Sequence, residues 1–378
     1  MHILIAPNAF KNSLAAAEAA LAIREGLELS KLNCTTSCFP IADGGDGTGP
    51  LILKKCKGRF VTKEVHDPLG RPISAQFGLI DDGKTAVIEM ADASGLRLLK
   101  KEELNPMRAS SAGTGDLISH ALDEGVNKIL IAMGGSATVD GGCGILWALG
   151  VRFFDVADKL LQAVPEGLAD LARVDVSGLD RRLSNSEIVV LCDVNNQLLG
   201  PQGSAAVFGP QKGAVPADVI KLDILLTRLN DVVEKQSGKK MSQLKYGGTA
   251  GGAAAGLCAI LDAKLVNGIE YFLDVTGFEQ ELQKADLVIT GEGSIDSQTL
   301  QGKGPFGVAK QAKLKNIAVI GLAGSVPLQP DTELDKYFDV LMAIGNRPVD
   351  LQKAFEYTND NLVRTSKAIG DLLFISKF

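Results

Sequence analysis

The chain has 378 residues, and single hydrophobic cores stop growing beyond roughly 250 to 300 residues, so two domains are expected. Hydrophobic residues make up 46% and charged ones 22%, an ordinary globular composition that excludes a disordered or fibrous chain. The formal charge is −6 and no basic stripe is interleaved with aromatics, which argues against a nucleic-acid partner. A phosphorylated ligand would have to be met by local amides and single lysines.

Six cysteines without a CxxC pair and only three histidines argue against zinc. The opening MHILIAPNAF has neither the basic stretch nor the long apolar run of a signal peptide or membrane anchor. A cytoplasmic protein with reduced thiols, acting on small molecules, is expected, with no membrane partner. Assembly as a homodimer is left open.

Residues 2–6 form a continuous apolar run, as in a parallel strand buried on both faces, and residues 14–29 follow as an Ala-rich amphipathic helix. From Gly58 to about Ala93 the period changes to two, with RFVTKEV, ISAQFGLI and TAVIEMA separated by turn signals, which reads as an antiparallel meander. The middle mixes KILIA and SEIVVLCDV, both strand candidates, with helical periodicity at 216–237. From Asp286 strand and helix alternate again, through DLVIT, PFGVAKQAK, IAVIGLAG and DVLMAIG to a terminal helix from about Leu351.

The expected fold class is therefore α/β with two domains. A doubly wound, Rossmann-like parallel sheet is built from both chain ends, residues 1–58 and 265–378. A mixed α/β domain containing the meander, residues 59–264, is inserted in it, and the active site is expected in the cleft between the two.

The segment GLIDDGKT formally fits the phosphate-loop pattern G-x-x-x-x-G-K-[ST]. Strand-like alternation follows it where that motif needs a helix, so it reads as a hairpin turn. The match of GKGPFG to G-x-G-x-x-G is weak alone, but it lies between the strand DLVIT and a helix opening near Pro305, where free amides can meet an anion.

Three acid- or hydroxyl-bearing glycine loops each follow a predicted strand. In ITGEGSIDSQTLQGKG the acids Glu292 and Asp296 suit a cation or a substrate hydroxyl, with Gly291, Gly293 and Lys303 beside them. In PIADGGDGT, Asp43 and Asp46 flank Gly44 and Gly45, so backbone amides come close to a ligand while carboxylates stay available. In MGGSATVDGGCG, Gly134 and Gly135 permit close approach, and Ser136 and Thr138 can donate to phosphate or carboxylate oxygens.

Lys11 in AFKNS and Lys212 in VFGPQKGA are point-charge partners for phosphate, and Asp193 with Asn195 suits a metal or a hydroxyl. The run GGTAGGAAAGL fits a further phosphate loop or tight helix packing equally well. His120 and Trp147 read as structural.

In order along the chain, AFKNSL, ADGGDGT, ASGL, SSAGTGDLI, GGSATVDGGCGILWALG, CDVNNQLLGPQGSAAVFGPQKGA and ITGEGSIDSQTLQGKGPFGVA resemble the glycerate kinase family of the bacterial glycerate 2-kinase type. The pattern departs at Asn195-Asn196, where family members usually carry Asn-Pro, and at Ser294, where Arg is common. The resemblance implies transfer of the γ-phosphate of ATP to a hydroxyl of D-glycerate, with Mg²⁺ as helper, giving 2-phosphoglycerate in preference to 3-phosphoglycerate.

Phosphoryl transfer depends on positioning and charge neutralisation. On that basis Asp43, Asp193, Glu292 and Asp296 are expected to hold Mg²⁺ or orient the hydroxyl, with Asp193 and Asp296 the metal candidates. Lys11, Lys212 and Lys303 are expected to neutralise anions. The alternatives are a nicotinamide-dependent oxidoreductase, which lacks the acidic residue after a first-strand G-x-G-x-x-G, and a non-catalytic sugar-acid sensor, which has no need of three such loops.

Overall fold

The computed structural model describes residues 1–376, and among them the chain forms thirteen strands. In chain order these are β1 (His2–Ile5), β2 (Thr35–Cys38), β3 (Arg59–His66), β4 (Pro72–Ile80), β5 (Thr85–Glu89), β6 (Lys128–Ala132) and β7 (Arg152–Phe154). They continue as β8 (Arg173–Asp175), β9 (Glu187–Cys192), β10 (Lys264–Asn267), β11 (Leu287–Ser294), β12 (Ala318–Ser325) and β13 (Val340–Ala343). The chain divides into two compact units, Met1–Asp43 with Ile269–Phe378, and Gly44–Gly268.

The terminal unit is a five-stranded sheet, order β13-β12-β11-β1-β2, with every pairing parallel. The apolar runs that suggested doubly buried strands are buried on both faces, as period-two geometry requires. Ile3 and Ile5 share a core with Ala19 and Ile23 of the helix Ala16–Glu28 and with Leu362 and Ile369 of the helix Thr358–Ile375, while Leu4, Val288 and Val319 are fully buried on the other side. Those two helices lie close because Gly26 has no side chain: a Cβ there would stand 2.3 Å from the Val363 carbonyl oxygen. Strand order runs outward in both directions from the β1/β11 pair. That pair is the topological switch point, where the carboxyl ends of doubly wound sheets gather ligands.

The inserted unit carries a six-stranded sheet, order β10-β9-β6-β5-β4-β3, and the small pair β7-β8. Strands β3, β4 and β5 are the antiparallel meander. Asp81, Asp82 and Gly83 join β4 to β5, all with positive φ, so GLIDDGKT is a hairpin turn. The middle segments left unsorted by period alone are parallel strands: β6, β9 and β10 extend the sheet from β5. Long crossovers hide that pairing from any local pattern.

The units meet in sequence at 43/44 and 268/269, against the expected 58/59 and 264/265. The helix Thr48–Cys56 belongs with the meander, since Leu53 fills the space over Gly78, where a Cβ would stand 2.1 Å from Leu53 Cδ1. At the other crossing, β10 pairs with β9 through Asn267.

Candidate active-site clusters

In the terminal unit, charged residues gather where β1, β2 and β11 end. The Asn8 N–H donates to the Gly291 carbonyl at 2.8 Å and the Thr290 hydroxyl to the Ala6 carbonyl at 2.7 Å, which ties the two switch-point strands together beyond their ladder. Asn8 Nδ2 donates to Asp43 Oδ2 at 2.9 Å, with both residues buried.

Glu292 is only 7% exposed and accepts from the Thr299 hydroxyl at 3.4 Å. Burial and the neighbouring charge of Asp43 push its carboxyl up to about 7, against the opposing pull of Lys303, Lys11 and Thr299. Lys303 occupies the cap position of the helix Gly304–Leu314, whose first turn contains Pro305, as expected from the sequence.

Asp296 serves its own loop, with Oδ1 accepting from the Gln298 N–H at 2.8 Å while its N–H donates to Thr299 Oγ1 at 3.1 Å. The structure thus brings Lys303, Asp43 and Lys11 within electrostatic reach of Glu292. Gly291 is part of β11, Gly293 is exposed, and Asp296 stands half-buried in the following turn.

In the inserted unit the loops after β5, β6 and β9 form a second cluster. The close approach that glycine permits in PIADGGDGT and MGGSATVDGG is between these two loops. The Gly134 N–H donates to the Gly44 carbonyl at 3.1 Å, and a Cβ on Gly134 would stand 2.4 Å from Gly45 Cα. ASGL pairs with the same loop: the Leu96 N–H donates to Gly135 O and the Ala137 N–H to Ser94 O, each at 2.8 Å. Gly135 is left exposed at the turn, with φ of 72°.

Lys212, 3% exposed, donates from Nζ to Ser136 Oγ at 2.9 Å and to the Thr138 carbonyl at 2.7 Å. Burial pushes its ammonium down to about 7, although Asp140 and Asp193 pull the other way. The Thr138 hydroxyl is buried and has no hydrogen-bond partner. Asp193 is half-buried at the end of β9, close enough to act on Lys212, and Asn195 is exposed. Asp46 is exposed and ion-paired with Arg97, which also holds Asp92.

Several participants escaped sequence reasoning. Asp140 is buried and accepts from the Ser111 N–H and hydroxyl at 2.9 and 2.7 Å, and from the Gly142 and Gly144 N–H groups at 3.0 and 3.2 Å. It lies inside a quoted motif, and an acid followed by two glycines at a helix start was the available signal. Glu89, at the end of β5, accepts from the Gly49 N–H at 2.7 Å, and burial pushes it up to about 7. Asn8, Arg97 and Thr299 gave no local signal. The run GGTAGGAAAGL is used for packing, since a Cβ on Gly256 would stand 2.0 Å from the Gly141 carbonyl oxygen.

Acids, lysines, hydroxyls and glycine amides at the ends of parallel strands are the equipment of an α/β kinase, which works by positioning and charge neutralisation. The sequence model of the glycerate kinase family matches residues 3–374. A glycerate kinase of Bacillus subtilis (strain 168) is 44% identical over 377 residues, covering 100% of this chain and 99% of the relative. The glycerate 2-kinase of Escherichia coli (strain K12) is 41% identical, with 99% and 98% covered. A crystal structure of a protein assigned as glycerate kinase 2 from Salmonella typhimurium LT2 superposes with a TM-score of 0.83 at 42% identity, covering 100% of this chain and 99% of that one. The chain belongs to the glycerate kinase family. Among the described residues no helix is long and apolar enough to cross a membrane.

Proposed function

We propose that this protein transfers the γ-phosphoryl group of ATP to a hydroxyl of D-glycerate, the 2-hydroxyl in preference to the 3-hydroxyl, releasing ADP. The hydroxyl oxygen forms the new P–O bond, the bond from the γ-phosphorus to the β,γ-bridging oxygen breaks, and the hydroxyl proton passes to a base. The observation that carries this reading is Glu292: a carboxylate buried at the switch point, pushed up to about 7 by burial against the pull of Lys303 and Lys11. A base with that affinity for protons is matched to taking a hydroxyl proton near pH 7.

Lys11 and Lys303 then offset the charge of the glycerate carboxylate or of phosphate. In the inserted unit Lys212, Ser136, Thr138 and the exposed Gly135 amide are the anion-binding set, with Asn195 beside Asp193 as a further polar contact. Gly44, Gly45 and Gly134 support that set by packing the two loops together.

Among the described residues no group of three or more His, Cys, Asp or Glu could hold a metal ion. Mg²⁺ held by one or two carboxylates and the phosphates of a nucleotide needs no such cage, so the donor set fits. Asp193 in the inserted unit and Asp296 in the terminal unit are each proposed as a carboxylate ligand, and an ion held by either would supply charge neutralisation on the phosphates. We place the enzyme in the cytoplasm, where ATP is available, and leave a homodimer as a state to be measured by sedimentation.

Phosphorus NMR of the product from D-glycerate and ATP tests the reading, with 2-phosphoglycerate expected. No glycerate-dependent product would overturn the activity, and 3-phosphoglycerate would overturn the regiochemistry alone. Replacing Asp193 and Asp296 singly by Asn tests the metal assignment: each folded variant is expected to need more Mg²⁺ for half-maximal turnover, and unchanged turnover in both would sink it.

A further inference from the structure

Asn8 is a buried polar side chain of the terminal cluster with both ends of its amide hydrogen-bonded, and nothing in its local sequence marks it. Its Oδ1 accepts from the Ala9 N–H at 2.8 Å, which fixes which end of the amide is oxygen and turns Nδ2 toward Asp43 Oδ2 at 2.9 Å. Its own N–H is held by the Gly291 carbonyl on β11. On the remaining side, Gly304 opens the helix after the acid-glycine loop, and a Cβ there would stand 2.8 Å from Asn8 Nδ2. The Ala9 N–H, Asp43 and Gly304 therefore bound the side chain, while Gly291 holds its backbone.

Asp43 lies on the extension of β2, which runs beside that of β1. The backbone leading to it is pinned by the Phe39 N–H on the Ile5 carbonyl, at 2.7 Å, and the Ile41 N–H on the Pro7 carbonyl, at 3.0 Å. Its carboxylate acts on Glu292, on which Lys303 and Lys11 also act, so one acid and two lysines converge on the buried Glu292. The Asn8 amide is a neutral donor, so this contact orients the Asp43 carboxylate without bringing a charge of its own.

We propose that Asn8 is a positioning residue for the phosphoryl transfer, acting through Asp43, whose carboxylate it holds in orientation toward the reacting groups. This rests on the kinase reading above and adds to it a residue that touches no substrate.

The test is the pH profile of glycerate-dependent ADP formation in Asn8→Asp and Asn8→Ser, with melting temperatures. Asn8→Asp keeps the shape and the acceptor for Ala9 but sets two carboxyl oxygens at hydrogen-bond distance, where one proton must be shared. Its kcat is expected to fall about 100-fold at pH 8, and the ratio of its kcat to that of wild type to rise at least about tenfold between pH 8 and pH 6, as the shared proton is taken up. Asn8→Ser removes the donor without adding a titratable group, so its deficit, about tenfold or more, is expected to be flat with pH while KM stays within about threefold.

A flat ratio for a folded Asn8→Asp, or wild-type kcat in a folded Asn8→Ser, overturns the proposal. Should Asn8→Asp fail to fold, the kcat of Asn8→Ser decides alone. An inactive wild-type enzyme overturns the kinase reading and this proposal with it, whereas an active wild type with insensitive variants overturns the positioning role only.

Discussion

Glu292 in the terminal unit and Lys212 in the inserted unit are both buried at the carboxyl ends of parallel strands, and both are held at about 7. They reach that value from opposite sides. The terminal unit surrounds an acid with lysines and a second acid, while the inserted unit surrounds a lysine with a hydroxyl and a carbonyl. In each case desolvation is the leading cause, and it disfavours the charged form of either sign.

The consequence for stability is opposite in the two units. The folded-state value of Glu292 is raised, so its contribution to stability is fully present below about 4.5 and is lost as the pH climbs through about 7. The value of Lys212 is depressed, so its contribution is present above about 10.5 and is lost as the pH falls through about 7. Near neutrality both units carry a charge that folding alone would not choose, as expected where function sets the residue.

The comparison breaks first at Glu292→Gln. Loss of a general base is expected to lower kcat by about 100- to 10,000-fold. The same change is expected to stabilise the protein at pH 8 by up to about 3 kcal/mol, since one pKa unit corresponds to about 1.4 kcal/mol, with the gain vanishing near pH 4.5. Urea denaturation at three pH values alongside kinetics measures both, and a variant less stable than wild type at pH 8 would contradict the burial argument.

Lys212→Met comes next. Loss of a buried donor cation is expected to lower kcat/KM by about 100- to 1,000-fold, and the rise in stability between pH 7 and 10 that the lysine contributes should disappear. Persistence of that rise in the variant would assign it to another group.

The smallest effect is expected from Glu89→Gln, which keeps the acceptor for the Gly49 N–H. Turnover should stay close to wild type while stability at pH 8 rises, which separates a buried acid that holds a helix start from one that acts on substrate. A collapse of kcat with KM unchanged would move Glu89 into the catalytic set.

How far the site could be read from the sequence follows the range of the interactions involved. Glu292, Lys303 and Pro305 belong to one strand-loop-helix connection, so pattern and capping chemistry point to them directly. Asp296, four residues after Glu292, accepts with Oδ1 from the Gln298 N–H, a local bond that spacing does not reveal. Asn8, Glu89 and Asp140 bond to residues 35, 40 and 29 positions away respectively, and no window of sequence contains both partners. The parallel strands β6, β9 and β10 were obscure for the same reason, since long crossovers separate what the sheet sets side by side.

By itself the sequence determined the class of the protein and the alternation of its ends. Short continuous apolar runs alternating with helical periodicity fit doubly buried strands, and acids beside glycines between such a strand and a helix point to ligand loops. Tertiary structure alone decided which acid is buried and which lysine is desolvated, because a shift of pKa depends on what surrounds a group in space. It also decided that the glycines of two separate loops spend their freedom on each other's backbone, a contact that exists only once the strands carrying those loops have been brought together.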